Sequence, residues 1–201
     1  TLTVDTLPPI IFSTVPAAGV KIERLKDVEV FLKDNLSGVD FSQTQVSLNS
    51  ANGAVSATKN NNGVDKVQLA FTDLATDGSA DGLYTISITA VDFAGNMSGT
   101  QNIPFYFITQ MPEIVSVSPV ADAQVNQLSE VSATLLDYSG KGIDFDQTII
   151  TITNGQEKVL TNTSRTHTNS QVTLTGLDLP TDGSADGVYT VVVKVVDKLG
   201  S

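Results

Sequence analysis

The chain contains no cysteine and no tryptophan, one histidine, two methionines, and 11 basic side chains against 22 acidic ones in 201 residues. Each scarcity removes a class of chemistry. Without cysteine there is no disulfide, no thiolate nucleophile and no sulfur-ligated zinc. A net charge of −11 repels phosphate backbones, and no lysine or arginine cluster offsets it locally, so nucleic acid is not an expected partner. No apolar run is long enough for a membrane-spanning helix. No basic segment followed by an apolar one opens the chain, which places any targeting signal outside these residues. Aromatic residues make up 6%, little material for an aromatic binding face, whereas 40% hydrophobic residues suffice to build cores.

What the chain does contain, it contains twice. "TDGSADG" stands at 76–82 and, unchanged, at 181–187. "NLSGVDFSQT" (35–44) answers "YSGKGIDFDQT" (138–148), and "TISITAVDFAG" (85–95) answers "TVVVKVVDKLG" (190–200). The offset stays near 105 residues throughout, which marks a tandem duplication of a unit about a hundred residues long.

Inside each unit the apolar residues alternate with a period of two, as strands require. Val28, Val30 and Leu32 alternate in this way, matched by Val131, Ala133 and Leu135. Val67, Leu69 and Phe71 answer Val172 and Leu174, and Val46 and Leu48 answer Ile150 and Ile152. Tyr84, Ile86, Ile88 and Ala90 answer Tyr189, Val191, Val193 and Val195. "SANG", "KNNNG", "TNG" and "AGN" between them read as turns. No stretch holds a helical period for three turns. About seven short strands per hundred residues predict an all-β chain of two tandem Greek-key β-sandwiches.

"DGLYTISITAVDFAGN" and "DGVYTVVVKVVDKLGS" resemble the penultimate strand of bacterial immunoglobulin-like repeats, and a P-x-I/V…P pattern opening each unit resembles their first strand. The resemblance runs over nearly the whole chain, twice. The missing cysteine pair and core tryptophan set it apart from antibody-type domains and nearer to bacterial, fibronectin-III-like or cadherin-like relatives. It implies that Tyr84 and Tyr189 are corner tyrosines, each hydroxyl bonding back to the preceding corner. It implies bacterial origin, export, and a place at the cell surface or outside the cell.

Matching the copies predicts boundaries: 1–7 as the tail of a preceding repeat, 8–109 as the first domain, and 110–201 as the second, lacking its last strand. Ile103, Phe105 and Phe107 read as the last strand of the first domain, with Pro104 marking it as an edge. An open edge in the second domain is a template for strand addition by residues 1–6 of another copy.

His167 lies in a polar stretch, has no counterpart in the first unit and no nucleophile elbow near it, so it reads as an exposed loop histidine and the chain as no enzyme. Asp92 and Asp197 end strands and are expected to bond turn amides. "TDGSADG" carries two readings. Asp77 and Asp81, with Asp73 nearby, and Asp182 and Asp186, with Asp178, could supply part of a calcium shell, which acids such as Asp5, Asp40 or Asp144 could join as in cadherin-like modules. The spacing matches neither an EF-hand nor a nonapeptide calcium repeat. Turn chemistry accounts for the same residues: Thr76 or Asp77 capping one helical turn, Gly78 and Gly82 at positive φ, and Asp81 bonding the backbone before the tyrosine.

The expected role is a structural or adhesive spacer with no cofactor, whose partners are neighbouring repeats. The alternative is a module binding carbohydrate or protein, with calcium as its cofactor, for which Phe31, Tyr106 and Tyr138 are the out-of-phase aromatics.

Overall fold

A computed structural model describes residues 2–156, 159–160 and 163–201. They are all-β, with no helix long and apolar enough to cross a membrane. They divide into two compact units, Thr1–Thr109 and Gln110–Ser201, each with its own core.

Unit 1 is a sandwich of two sheets. One holds β1 (Ile10–Val15), β3 (Asp27–Lys33), β7 (Lys66–Ala70) and β6 (Thr58–Asn61), in the order β1-β3-β7-β6. The other holds β2 (Lys21–Ile22), β9 (Gln101–Phe107), β8 (Gly82–Thr89), β4 (Gln45–Ser50) and β5 (Gly53–Ala54), in the order β2-β9-β8-β4-β5. This is the strand scheme of an immunoglobulin-like sandwich. The alternation seen in the sequence is the alternation of burial: Val28, Val30, Val67, Ile86 and Ile88 are all 0% exposed. Each such side chain taken out of water contributes about 1.5–3 kcal/mol. Tyr84 fills the centre against Phe105, with ring centroids 5.8 Å apart, and against Phe107, edge-on at 6.1 Å.

Unit 2 repeats the first sheet with β10 (Glu113–Ser118), β11 (Glu130–Leu136), β14 (Gln171–Thr175) and β13 (Ser164–His167), in the order β10-β11-β14-β13. Even the irregularity in the first strand recurs, with register shifts between Ile11 and Ser13 and between Ile114 and Ser116. Its second sheet comprises β12 (Ile149–Asn154) and β15 (Tyr189–Lys194). Among the described residues, the edge of β15 away from β12 has no strand partner. Tyr189, Val191 and Val193 are consequently half-buried, where Tyr84, Ile86 and Ile88 of unit 1 are closed over by β9.

Three sequence expectations need correction. First, β9 is not an edge: β2 pairs beside it in parallel, Lys21 with Tyr106 and Ile22 with Phe107. Pro104 is tolerated because its carbonyl accepts from Gly19 N at 2.7 Å while β2 begins only at Lys21, so no ladder partner stands opposite its missing N–H. Second, most of "KNNNG" is strand β6 rather than a turn, and His167 ends strand β13 rather than lying in a loop. All four side chains of each strand are exposed, so an outer strand of this kind shows no apolar alternation. Third, no helical turn forms at 76–81; the chain reverses there through a turn closed by Asp81 N to Gly78 O at 3.0 Å.

Candidate functional site

The repeated loop resolves into two aspartates with separate duties. Asp77 Oδ1 accepts from Ser79 N at 3.0 Å and from Ser79 Oγ at 2.5 Å. In unit 2 Asp182 Oδ1 accepts from Ser184 N and Oγ at 3.0 and 2.5 Å. In both, the serine hydroxyl and then its amide hold the carboxyl below the usual aspartate value. Gly78 and Gly183 take φ of 89° and 88°, a conformation that a side chain would strain. Tyr84 donates to Ala80 O at 2.9 Å and Tyr189 to Ala185 O at 2.8 Å, closing the corner in each unit. Burial, with the nearby Asp81 charge second, pushes the Tyr84 hydroxyl pKa up.

Asp81 is 3% exposed and reaches much further: Oδ2 accepts from Thr109 N at 2.8 Å and Oδ1 from Thr109 Oγ1 at 2.7 Å, 28 residues along the chain. Asp186, its repeat, is exposed. The Thr109 contact is one that sequence reading did not anticipate. Among the described residues no group of three carboxylates assembles around Asp77 and Asp81, or around Asp182 and Asp186. Asp73 and Asp178 are exposed.

Removing the corner bond measures its worth. Tyr84→Phe is expected to lower the stability of unit 1 by about 1 kcal/mol in denaturant unfolding. Tyr189→Phe, at a half-buried ring, should cost unit 2 no more than that.

The "DFSQT" and "DFDQT" segments are a second shared device. Asp40 Oδ1 accepts from Ser42 N at 2.9 Å, and its Oδ2 accepts from Gln43 Nε2 at 2.8 Å. Asp144 does the same with Asp146 N at 3.0 Å and Gln147 Nε2 at 3.0 Å. Thr44 and Thr148 close both turns from inside at 0% exposure, each hydroxyl accepting from a backbone amide, Val91 N at 3.1 Å and Val196 N at 3.2 Å. Lys59 covers the first turn, donating to the carbonyls of Phe41 and Thr44 at 3.0 and 2.8 Å, and Arg165 donates to the Thr148 carbonyl in the second. Asp40 and Asp144 are thus both committed to turns.

Asp92 and Asp197 do bond turn amides. Asp92 Oδ1 accepts from Asn96 N at 2.7 Å, and Asp197 Oδ1 from Leu199 N and Ser201 N, both at 2.9 Å. Asp92 also belongs to a group that sequence reading missed: carboxylate oxygens of Asp5, Asp34 and Asp92 all lie within 4.8 Å of one another. The three residues belong to three segments separated by up to 87 positions, so no local spacing announces them. Asp5 Oδ2 accepts from Ser37 N at 2.8 Å, and the Ser37 hydroxyl sits alongside without an aligned hydrogen bond. The hydroxyl and then the amide hold the Asp5 carboxyl below its ordinary value.

Among the described residues, each unit has a shallow depression on its surface. In unit 1, hydroxyls of Ser42, Ser47, Ser87 and Thr100 line one beside Lys59. In unit 2, Asp144, Phe145, His167 and Lys198 line the other, with the His167 ring stacked on Phe145 at 4.2 Å. Neither brings a serine to a histidine. Within unit 1 the out-of-phase aromatics lie on different sheets, Phe31 on β3 under Lys66 Nζ and Tyr106 on β9; in unit 2 Tyr138 donates to Glu113 at 2.6 Å.

No protein-family model matches the chain, and no curated protein matches it. Solved structures resemble it only distantly. PcoC, a methionine-rich copper resistance protein from Escherichia coli, is 15% identical, with a TM-score of 0.43 over 50% of this chain and 99% of its own. The titin segment A168–A169 is 9% identical, with a TM-score of 0.41 over 94% of this chain and 97% of its own. The fibronectin(III)-like modules of CbhA from Clostridium thermocellum are 14% identical, with a TM-score of 0.32 and 94% of both chains covered. Immunoglobulin-like and fibronectin-III-like sandwiches are thus its neighbours, and they carry no role across to it.

Proposed function

We propose that the two sandwiches are spacer modules of a bacterial surface or secreted multi-repeat protein, holding a binding or catalytic domain at a distance, with neighbouring repeats as their partners. One observation supports this reading: four pairs of polar residues kept in both copies are engaged in holding chain reversals. Asp77 and Asp182, Asp40 and Asp144, Thr44 and Thr148, and Tyr84 and Tyr189 all bond the backbone or neighbouring side chains of their own unit. A duplicated binding site would instead leave shared polar groups turned outward with unfilled capacity. A sandwich that spends its repeated residues on itself serves as a rod segment, and such modules draw their stability from their own cores. The same reading makes the chain non-catalytic.

A ligand-binding reading has one observation in its favour, the Phe145–His167 stack in the depression of unit 2, which charges of both signs line. One experiment separates the two. The intact chain is screened against immobilised glycans and extracellular-matrix proteins. The spacer reading expects no saturable binding. Saturable binding that is lost in both His167→Ala and Phe145→Leu overturns it.

A further inference from the structure

Asp5 precedes β1, Asp34 follows β3, and Asp92 follows β8, so three separate segments of unit 1 converge at one place. Backbone and amide donors hold each carboxylate. Asp5 Oδ1 accepts from Leu7 N at 3.2 Å. Asp34 Oδ2 accepts from Leu36 N at 3.0 Å and Gly38 N at 2.7 Å. Asn96 joins two of the segments, its side-chain amide donating to Asp92 Oδ2 at 2.7 Å and to the Asp5 carbonyl at 3.2 Å.

An independent feature points to what is held there. Asp34 Oδ1 is sealed from solvent and accepts no hydrogen bond. Beside it lies Asp92, itself 0% exposed. Asp34 as a whole is half-buried, but a sealed carboxylate oxygen without a donor, close to two further carboxylates, is unfavourable unless a donor or a cation meets it. The ion pair formed among the described residues, Lys66 with Glu29, lies on the β3–β7 sheet instead.

We propose that Asp5, Asp34 and Asp92 bind one calcium ion. Carboxylate oxygens within 4.8 Å of one another fit a common ion, because calcium–oxygen bonds of about 2.3–2.6 Å place two ligands up to about 5 Å apart. An all-oxygen set with no imidazole or thiolate selects a hard cation over zinc or copper. Three carboxylates suit calcium better than magnesium, which keeps most of its water and takes one or two. Backbone carbonyls and water complete the shell. Binding fastens the segment ahead of β1 onto the two loops of unit 1.

Unit 2 supplies the contrast. Asp137 and Asp197 occupy the places of Asp34 and Asp92. Donors reach both oxygens of Asp137, Ser139 N at 3.1 Å and Gly142 N at 2.7 Å, so it keeps no orphaned oxygen of the kind Asp34 has. Asp197, like Asp92, is met at both oxygens, by Ser201 N at 2.9 Å and Ser201 Oγ at 2.6 Å. The position of Asp5 in the repeat is taken by Thr109, and no third carboxylate joins them among the described residues. The stoichiometry is therefore one ion per chain.

The proposal stands independently of the spacer reading. Calcium chloride is titrated calorimetrically into the intact, chelator-stripped chain, with thermal melts in calcium and in chelator. One equivalent should bind, the unit 1 transition should rise, and magnesium should bind at least tenfold more weakly. Asp34→Asn and, separately, Asp5→Asn should each weaken calcium at least tenfold, while Asp182→Asn at the exposed corner of unit 2 leaves it unchanged. Circular dichroism in chelator checks that each variant folds; if Asp34→Asn does not, Asp5→Asn decides. Absence of both heat and melting shift at millimolar calcium overturns the proposal, as does unchanged affinity in Asp5→Asn.

Discussion

Phe105→Ala is expected to remove about 3–5 kcal/mol from unit 1 and to leave the unfolding of unit 2 where it was. Phe105 is 0% exposed, lies near-parallel to Tyr84 at 5.8 Å, and belongs to β9, the strand that closes one side of the core. Truncation removes buried area, opens a cavity beside the corner tyrosine and forfeits the ring contact, worth about 0.5–1.5 kcal/mol beyond area alone. The two cores share no residue, so a denaturation curve followed by residue-resolved amide exchange should show loss of protection confined to unit 1. Equal loss in unit 2 would refute the independence of the cores.

Asp81→Ala is expected to cost unit 1 about 2 kcal/mol, and Asp186→Ala no more than about 0.5 kcal/mol in unit 2. The two aspartates hold the same place in identical heptapeptides. They differ in what they touch: Asp81 is buried and receives the amide and hydroxyl of Thr109, whereas Asp186 is exposed. Thr109 is half-buried, so water replaces part of what the carboxylate gave, which keeps the figure below the sum of two charge-assisted bonds. Paired denaturant titrations of the two variants test this asymmetry, and equal losses would show that the corner alone, not Thr109, uses the carboxylate.

The contrast shows how much the sequence made legible. The strands that face a core announced themselves, because burial on one face forces alternation: Val28, Val30 and Leu32 are 0, 0 and 2% exposed. Outer strands did not. Thr58–Asn61 and Ser164–His167 bury no side chain, so nothing in their composition distinguishes them from turns. The two-residue strand Lys21–Ile22 is too short to carry any period, and without it Pro104 pointed to an edge. The repeated heptapeptide was legible as a chain reversal, since aspartate, serine and glycine are what such a turn needs locally. What Asp81 touches was not, because Thr109 is brought there by the closure of the sandwich. The acidic trio is the extreme case: Asp5, Asp34 and Asp92 meet only once two loops and the segment before β1 are in place.

The parallel pairing of β2 with β9 bears on how unit 1 would respond to tension applied through the chain. Gly19 N to Pro104 O at 2.7 Å, Tyr106 N to Val20 O at 2.8 Å and Ile108 N to Ile22 O at 2.9 Å lie side by side along two strands running in the same direction. β2 is reached from the start of the unit and β9 leads out of it, so tension applied through the chain pulls them in opposite senses. The bonds are then strained in shear and must yield together, whereas a hairpin pulled from its open end gives way one bond at a time. Thr109, fastened by Asp81 just past β9, places a further anchor at the point where tension leaves the unit.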